Sequence, residues 1–266
     1  MKLYLGTGGY AHPDWVGLLY PPELPKERWL EVYAQEFNAL ELNASFYAIP
    51  GVRAFAGMLR RSRGQLRFAI KLHRSMTHDR TATSEEYRRL FESVAPLREA
   101  GVLGPFLAQF PQSFHRTLEH RRYLQTLVER FTPEVAPSGL AVEFRHSSWH
   151  RAEVLESFRT LGLIWVSPDY PALPGLPPPR LWISAGIAYI RFSGRNQATW
   201  WEGRDQAERH DYLYRREELL EWVQALAQAR EEEQVDEAWW IFNNTTRGQA
   251  LTNLKTLNEL LAAYDL

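Results

Sequence analysis

Short apolar runs recur along the chain, and a polar side chain closes most of them. Apolar runs of this length, bounded by turn-forming residues, are typical of buried strands. Stretches with apolar residues at helical spacing lie between most of the runs. This alternation of strands and helices predicts a parallel sheet whose strands are joined by helical crossovers. The predicted strands are KLYLG (2–6), ALELN (39–43), RFAIKL (67–72), PFLAQF (105–110), GLAVEFR (139–145), LIWVSPD (163–169), AYIRFSG (188–194) and AWWIFNN (238–244).

Eight predicted strands favour a closed barrel over an open sheet. A TIM-type (β/α)8 barrel has about 250 residues, and this chain has 266, so we predict one α/β barrel domain over residues 1–266. Ser84 is predicted to cap the helix at 84–97, and Gly162 is predicted to end the helix at 151–162. The predicted outer helices cover 24–37, 52–61, 84–97, 120–131, 151–162, 215–233 and 248–264.

One connection departs from this pattern. Five of the nine residues from Pro171 to Pro179 are prolines. Proline inside a helix removes a backbone hydrogen bond and clashes with the preceding turn. We therefore expect one outer helix to be missing or replaced near residues 171–182.

Charged and amide side chains stand at the carboxyl ends of the predicted strands, which is where barrel enzymes carry their active sites. Alternation along a strand puts Glu41 with Asn43, and Glu143 with Arg145, on a common face. The carboxylates are candidates for proton transfer. Lys71 is expected to stabilise negative charge, with Schiff-base chemistry as the less favoured alternative. The catalytic candidates are Glu41, Glu143, Lys71 and His78.

The binding candidates are amide, guanidinium and aromatic side chains near the same strand ends. Arginine suits bidentate binding of phosphate or carboxylate, and aromatic rings in the loops offer faces on which a base or sugar can stack. Other loop histidines, among them His210, are expected at the surface. The binding candidates are Asn43, Gln109, Arg145, Arg191, Asn243, Tyr10, Trp15, Tyr47 and Trp149.

Composition restricts the remaining classes of function. With 31 Lys and Arg against 32 Asp and Glu, the formal net charge is −1, so no global attraction to nucleic acid or to acidic membranes is expected. The absence of cysteine excludes disulfides, thiolate metal sites and cysteine nucleophiles. The first residues lack an apolar signal region, and no run reaches the roughly 18 apolar residues of a membrane span. We therefore expect a cytoplasmic protein without a membrane partner.

Motifs for cofactors and metals are weak. The glycine cluster GTGGY (6–10) lacks both the GxGxxG and the Walker pattern, so no nucleotide cofactor is expected. No HExxH spacing is present, although a divalent metal such as Mg²⁺ needs only one or two carboxylates. The candidate ligands for such a divalent metal are the carboxylates of Glu41, Glu143 and Asp169.

Seven blocks of sequence resemble the YecE-like family, also called domain of unknown function 72, and together they span nearly the whole chain. The resemblance implies a TIM-type barrel with functional residues at the strand ends, but it implies no established activity. The family commonly carries a histidine before the glycine that ends the seventh strand, whereas this chain has Ser193 before Gly194, so no role of that imidazole carries over. The blocks are GTGGYAHPDWVGLLYP (6–21), FNALELNASFYAIP (37–50), FAIKLHRSMTHDR (68–80), LAQFPQSF (107–114), AVEFRHSSW (141–149), YIRFSG (189–194) and IFNNTTRGQALTNLKTL (241–257).

Three functions remain open on the sequence. Buried charges are tolerated when they are paired, and the cations Lys71, Arg145 and Arg191 leave room for an anion beside Glu41 and Glu143. The leading hypothesis is therefore an enzyme, a hydrolase or an isomerase or lyase, that acts on a phosphorylated or otherwise anionic substrate. The alternatives are a barrel that binds nucleic acid or cleaves phosphodiesters with a metal, and a non-catalytic binding protein or scaffold whose charges only satisfy one another.

Overall fold

The computed structural model describes residues 1–135, 139–232 and 235–266. Within these residues, eight parallel strands hydrogen-bond in chain order, and the first pairs with the last to close a barrel. This arrangement confirms the predicted TIM-type barrel. The strands are β1 (Lys2–Gly8), β2 (Ala39–Leu42), β3 (Arg67–Lys71), β4 (Leu103–Phe110), β5 (Leu140–Phe144), β6 (Ile164–Asp169), β7 (Ile187–Phe192) and β8 (Glu237–Phe242).

A helix lies in each of the seven predicted ranges, whereas the short helices Arg74–Thr77 and Gln206–Arg209 were not predicted. The predicted helix at 84–97 is divided at Val94, and residue 233 of the predicted helix at 215–233 lies outside the described residues. No helix in the described part of the chain is long and apolar enough to cross a bilayer. The helices are α1 (Trp29–Glu36), α2 (Val52–Ser62), α3 (Arg74–Thr77), α4 (Ser84–Ser93), α5 (Ala95–Glu99), α6 (Leu118–Phe131), α7 (Ala152–Leu161), α8 (Gln206–Arg209), α9 (Arg216–Glu232) and α10 (Gln249–Ala263).

The cap of α4 corrects one prediction. Thr83, not Ser84, is the N-cap residue: its hydroxyl accepts a hydrogen bond from the backbone N–H of Glu86, and the Glu86 carboxylate accepts one from the backbone N–H of Thr83 at 2.8 Å. Ser84 has Tyr87 three residues later, which cannot return such a bond. Gly162 ends α7 in the left-handed conformation with φ 65°, as predicted.

The connection between β6 and β7 carries no helix, as its prolines predict. It is held to β6 by two serine hydroxyls instead. Ser184 Oγ accepts a hydrogen bond from the backbone N–H of Trp165 at 2.7 Å, and Ser167 Oγ accepts one from the backbone N–H of Trp182 at 2.9 Å. The chain thus returns along the barrel wall without a crossover helix.

The barrel interior changes from apolar to charged along the strands. Its packed centre is lined by Ala39, Ala69, Leu107, Ala141, Ile164, Val166, Tyr189, Trp239 and Ile241. Six of these residues are followed, two positions later in the chain, by a polar residue. Because side chains alternate along a strand, each of these polar side chains lies on the same inner face. These side chains are Glu41, Lys71, Gln109, Glu143, Arg191 and Asn243. The fold therefore collects these six predicted strand-end residues into one layer at the carboxyl face of the barrel.

Candidate functional site

Arg191 is the centre of this polar layer. Its guanidinium donates to both oxygens of Glu41, from Nε at 2.8 Å and from Nη2 at 2.6 Å, and Nη1 donates to Glu143 Oε2. All three side chains are at most 3% exposed. Buried charges require such pairing, since an isolated ion in the interior costs several kcal/mol.

Neutral side chains supply the remaining hydrogen bonds to the two carboxylates. Tyr189 donates its hydroxyl proton to Glu41 Oε2 at 2.9 Å, and Glu143 Oε1 accepts from Gln109 Nε2 at 2.8 Å and from the Tyr170 hydroxyl. Burial by itself raises the pKa of Glu143, but the neighbouring arginines and the Tyr170 hydroxyl outweigh it and lower the pKa to about 2. A carboxylate held ionised in this way orients cations and does not release a proton near neutral pH.

Arg145 connects this network with the entrance of the site. Its Nε donates to the Tyr170 hydroxyl at 3.2 Å and lies 3.6 Å from Glu143 Oε1. The side chain is 17% exposed, whereas Arg191 is buried. Of the two arginines predicted to bind an anion, Arg145 is therefore the one with access to a ligand.

Lys71 is buried at the end of β3 but is not paired. Its ammonium nitrogen lies 4.7 Å from the centre of the Phe46 ring, and within the described residues no hydrogen bond or ion pair reaches it. Ser45 fixes the loop that carries Phe46, because its hydroxyl lies 2.6 Å from the carbonyl oxygen of Lys71 and donates to it. Burial, reinforced by the charges of Arg191 and Arg145, lowers the pKa of Lys71 to about 7.

His78 contacts the Phe46 ring, as Lys71 does. Its imidazole meets the Phe46 ring edge-on with the centroids 4.7 Å apart, and Nδ1 is 3.0 Å from the Thr77 hydroxyl. Burial and then the charges of Arg145 and Lys71 lower the pKa of His78 to about 4. The structure thus brings His78 to the site as an uncharged imidazole at neutral pH.

Asn43 and Asn243 present unpaired amide atoms. Asn243 Oδ1 accepts from Arg191 Nη2 at 3.2 Å and from Asn43 Nδ2 at 3.3 Å. Because a guanidinium only donates, this contact fixes the orientation of both amides. Asn43 Oδ1 and Asn243 Nδ2 are then buried without a partner among the described residues. The side chains approach so closely over Gly8 that a β-carbon at this position would overlap Asn243.

His210 and Tyr170 belong to the site although the sequence did not indicate them. His210 was expected at the surface, but it is 3% exposed, and its Nδ1 lies 3.3 Å from the carbonyl oxygen of Asn243. Burial, with the charges of Arg145 and Arg191, lowers the pKa of His210 to about 3. The position of His210 in a polar loop gave no sign of burial, whereas Tyr170 directly follows a predicted strand and offered a weak signal.

A cavity of about 200 Å³ opens beside Arg145. Trp200, on its wall, packs on Tyr170 with the ring centres 5.1 Å apart. Arg209 faces the same space, and its Nε is buried without a hydrogen-bond partner in the described part of the chain. The cavity is lined by Pro111, Gln112, Arg145, Leu176, Trp200, Trp201 and Arg209.

The aromatic binding candidates fall into two groups. Trp15 and Trp149 are core residues: their indole N–H groups donate to the carbonyl oxygens of Thr245 and Phe114, and the rings are at most 2% exposed. The prediction that these two rings stack on a ligand is corrected accordingly. Tyr10 packs against the core, with its carbonyl accepting from the Tyr20 hydroxyl. Tyr47 is 70% exposed and contacts the edge of Phe46.

Asp169 faces away from the site, which corrects its prediction as a metal ligand. Val166 and Pro168 hold the inward positions at this end of β6, so Asp169 points to the helical layer. There it accepts hydrogen bonds from Arg195, the Tyr214 hydroxyl and the Trp222 indole. Within residues 1–135, 139–232 and 235–266, no three His, Asp or Glu side chains are grouped to hold a metal ion.

Known proteins match almost the entire chain. The UPF0759 protein YunF of Bacillus subtilis is 28% identical, over 97% of this chain and 94% of YunF. The crystal structure of a DUF72 family protein from Thermotoga maritima is 36% identical, with a TM-score of 0.87, and covers 98% of this chain and all of that one. One from Enterococcus faecalis, at 24% identity and a TM-score of 0.83 over 98% of this chain and 96% of its own, shows the shared fold. The family model described as "Protein of unknown function DUF72" matches residues 4–265, and the chain therefore belongs to the DUF72 family.

Proposed function

We propose that this protein is an enzyme that binds a small anionic substrate at the carboxyl face of the barrel. The observation that carries the proposal is an excess of positive charge with no partner. Arg191 and Arg145 are balanced by Glu41 and Glu143. Lys71, when protonated, and Arg209 are additional cations, and neither has an ion pair in the described residues.

Cations that are removed from water without a counter-ion are costly. An anionic group between Arg145 and Arg209 would offset that cost and would supply an acceptor for the unpaired Nε of Arg209. The cavity of about 200 Å³ beside these arginines has room for a phosphate or carboxylate group and a few further atoms. The substrate would extend from there towards Lys71 and the unpaired amide atoms of Asn43 and Asn243.

The compactness of this basic site favours a small molecule over nucleic acid. Nucleic-acid binding requires cations spread along a phosphate backbone, whereas here Arg145 and Arg209 line one small cavity. The location at the strand ends is also that of the catalytic residues in barrel enzymes. Glu41 and Glu143 would position the arginines, and Lys71, rather than a carboxylate, would be the reacting group.

The test is anion binding by calorimetry, with inorganic phosphate, pyruvate and dihydroxyacetone phosphate as probes. Arg209→Met removes a cation that forms no ion pair with any described residue, so it leaves the Arg191 network intact. We expect this variant to bind the anionic probes about tenfold or more weakly, a loss of about 1.4 kcal/mol. Arg122→Met, an exposed change on α6, is the matched control and should bind as the wild type does. Equal affinities in Arg209→Met and the wild type, or no binding of any anion, would contradict the proposal.

A further inference from the structure

We propose that Lys71 is a nucleophilic amine that forms a Schiff base with an aldehyde or ketone group of the substrate. This inference rests on the proposed function and specifies it, because the substrate would then be a small carbonyl compound with a phosphate or carboxylate group. The sequence favoured charge stabilisation over this chemistry for Lys71. Three features of the structure reverse that preference.

The first feature is the missing counter-ion. Glu41 directs its oxygens to Arg191 and Tyr189, and Glu143 directs its oxygens to Arg191, Gln109 and Tyr170. Neither carboxylate forms an ion pair with Lys71. A lysine whose role is to balance a buried carboxylate would contact it, and this one does not.

The second feature is the surroundings of the amine. Lys71 is 7% exposed, and the face of Phe46 lies against its ammonium nitrogen. The charged and titratable groups that influence it are Arg191 of β7, Glu41 of β2, Glu143 and Arg145 at the end of β5, and His78 after α3. Burial and the two arginines disfavour the ammonium form more than the two carboxylates favour it. A lysine in such surroundings carries the free amine that attacks a carbonyl.

The third feature is the choice of residue. The chain contains only four lysines, at positions 2, 26, 71 and 255, among 31 Lys and Arg. Elsewhere in this site, positive charge is supplied by arginine, as at Arg145, Arg191 and Arg209. Arginine binds anions well but stays protonated, so it cannot act as a nucleophile. The one lysine of the layer therefore differs from its neighbours in the property that the reaction needs.

The chemical step needs no oxidant or reductant. The lone pair on Lys71 Nζ attacks the carbonyl carbon, a C–N bond forms, and the C=O π bond opens to give a carbinolamine. Both hydrogens of the neutral amine leave with the carbonyl oxygen as one water molecule, and the imine remains. The imine becomes cationic when it is protonated, and Glu41 and Glu143 would then stabilise it. The unpaired Asn43 Oδ1 and Asn243 Nδ2 can accept from and donate to a hydroxyl on the substrate.

The test is reductive trapping on the wild-type protein. Glyoxylate, pyruvate and dihydroxyacetone phosphate are each incubated with the protein and borohydride, and the adduct is located by mass spectrometry of peptides. We expect one adduct per chain, at Lys71, with a yield that rises with pH around a midpoint near 7. Lys71→Met should lose the adduct, and Lys255→Met, an exposed change, should keep it.

The outcomes separate this inference from the proposed function. If none of the three compounds labels Lys71 above the level of Lys255, the Schiff-base proposal is overturned. If Arg209-dependent anion binding nevertheless persists, the proposed function stands without it. Labelling that is equal at all four lysines would likewise overturn the proposal, since it reports only ordinary amine reactivity. Because trapping uses the unmodified protein, the labelling of Lys71 does not depend on whether a variant folds.

Discussion

Replacing Lys71 with methionine is expected to stabilise the folded protein, and the gain is expected to shrink as the pH rises. Methionine keeps the length of the side chain and removes its charge. The physical reason is that folding moves an ammonium group from water to a buried site where none of the described residues forms an ion pair with it. The cost of that transfer depends on how many protons the folded and unfolded chains bind.

The sign and size of this stability change follow from the pKa of Lys71, which is about 7 in the folded protein and 10.5 ordinarily. Below pH 7 both states are protonated, so the folded state carries the full cost, at most about 5 kcal/mol at about 1.4 kcal/mol per pH unit. Between pH 7 and 10.5 only the unfolded chain keeps the proton, so the stability of the wild type rises with pH. Evaluated at pH 9, the remaining cost is about 2 kcal/mol.

The assay is urea unfolding of wild type and Lys71→Met at pH 6, 7.5 and 9. We expect the stability difference between the two proteins to narrow by about 2–3 kcal/mol from pH 6 to pH 9. Lys255→Met, exposed on α10, serves as the control and should show a difference that does not depend on pH. A constant difference for Lys71→Met would refute the reasoning, since Lys71 would then keep its proton through the neutral range.

Three further outcomes are expected. Glu41→Gln should lower the free energy of unfolding by about 3–5 kcal/mol in urea titrations, because it leaves the buried Arg191 partly uncompensated; a change below about 1 kcal/mol would contradict the network. Gly8→Ala should destabilise by about 1–3 kcal/mol in thermal unfolding, because its methyl group would overlap Asn243, whereas Gly51→Ala, with open space around it, should change little. Since the pKa of Glu143 is lowered to about 2, protonation of the unfolded chain should remove about 2 kcal/mol of stability between pH 5 and pH 3, and a flat profile there would argue against an ionised Glu143.

The barrel and most of its polar layer could be predicted from the sequence because both follow from local periodicity. Alternation fixed the inward face of β2, β3, β5 and β7, so Glu41, Lys71, Glu143 and Arg191 were correctly brought together. Proline chemistry likewise indicated the missing helix after β6. These are properties of short segments, and tertiary context did not override them.

The rest depended on register and on long-range packing. Asp169 ends an apolar run like the others, but Val166 and Pro168 take the inward positions of β6, which no signal in that segment reveals. His210 lies 33 residues before Asn243 along the chain, and only the folding of its polar loop over β8 buries it. The indoles of Trp15 and Trp149 are core residues because distant carbonyl oxygens accept from them, a pairing that composition cannot indicate.

The other walls of the cavity beside Arg145 are carried by connections that follow the strands, whereas the ionic layer is carried by the strands themselves. Leu176 lies in the connection after β6, and Trp200, Trp201 and Arg209 lie between β7 and α9. The residues proposed to recognise the substrate and those proposed to react with it therefore lie on separate segments of the chain. Exchanging residues 195–212 for the corresponding loop of a relative should change which molecules are accepted and leave the Arg191 network in place, which makes this loop the segment to alter when the specificity of the barrel is redesigned.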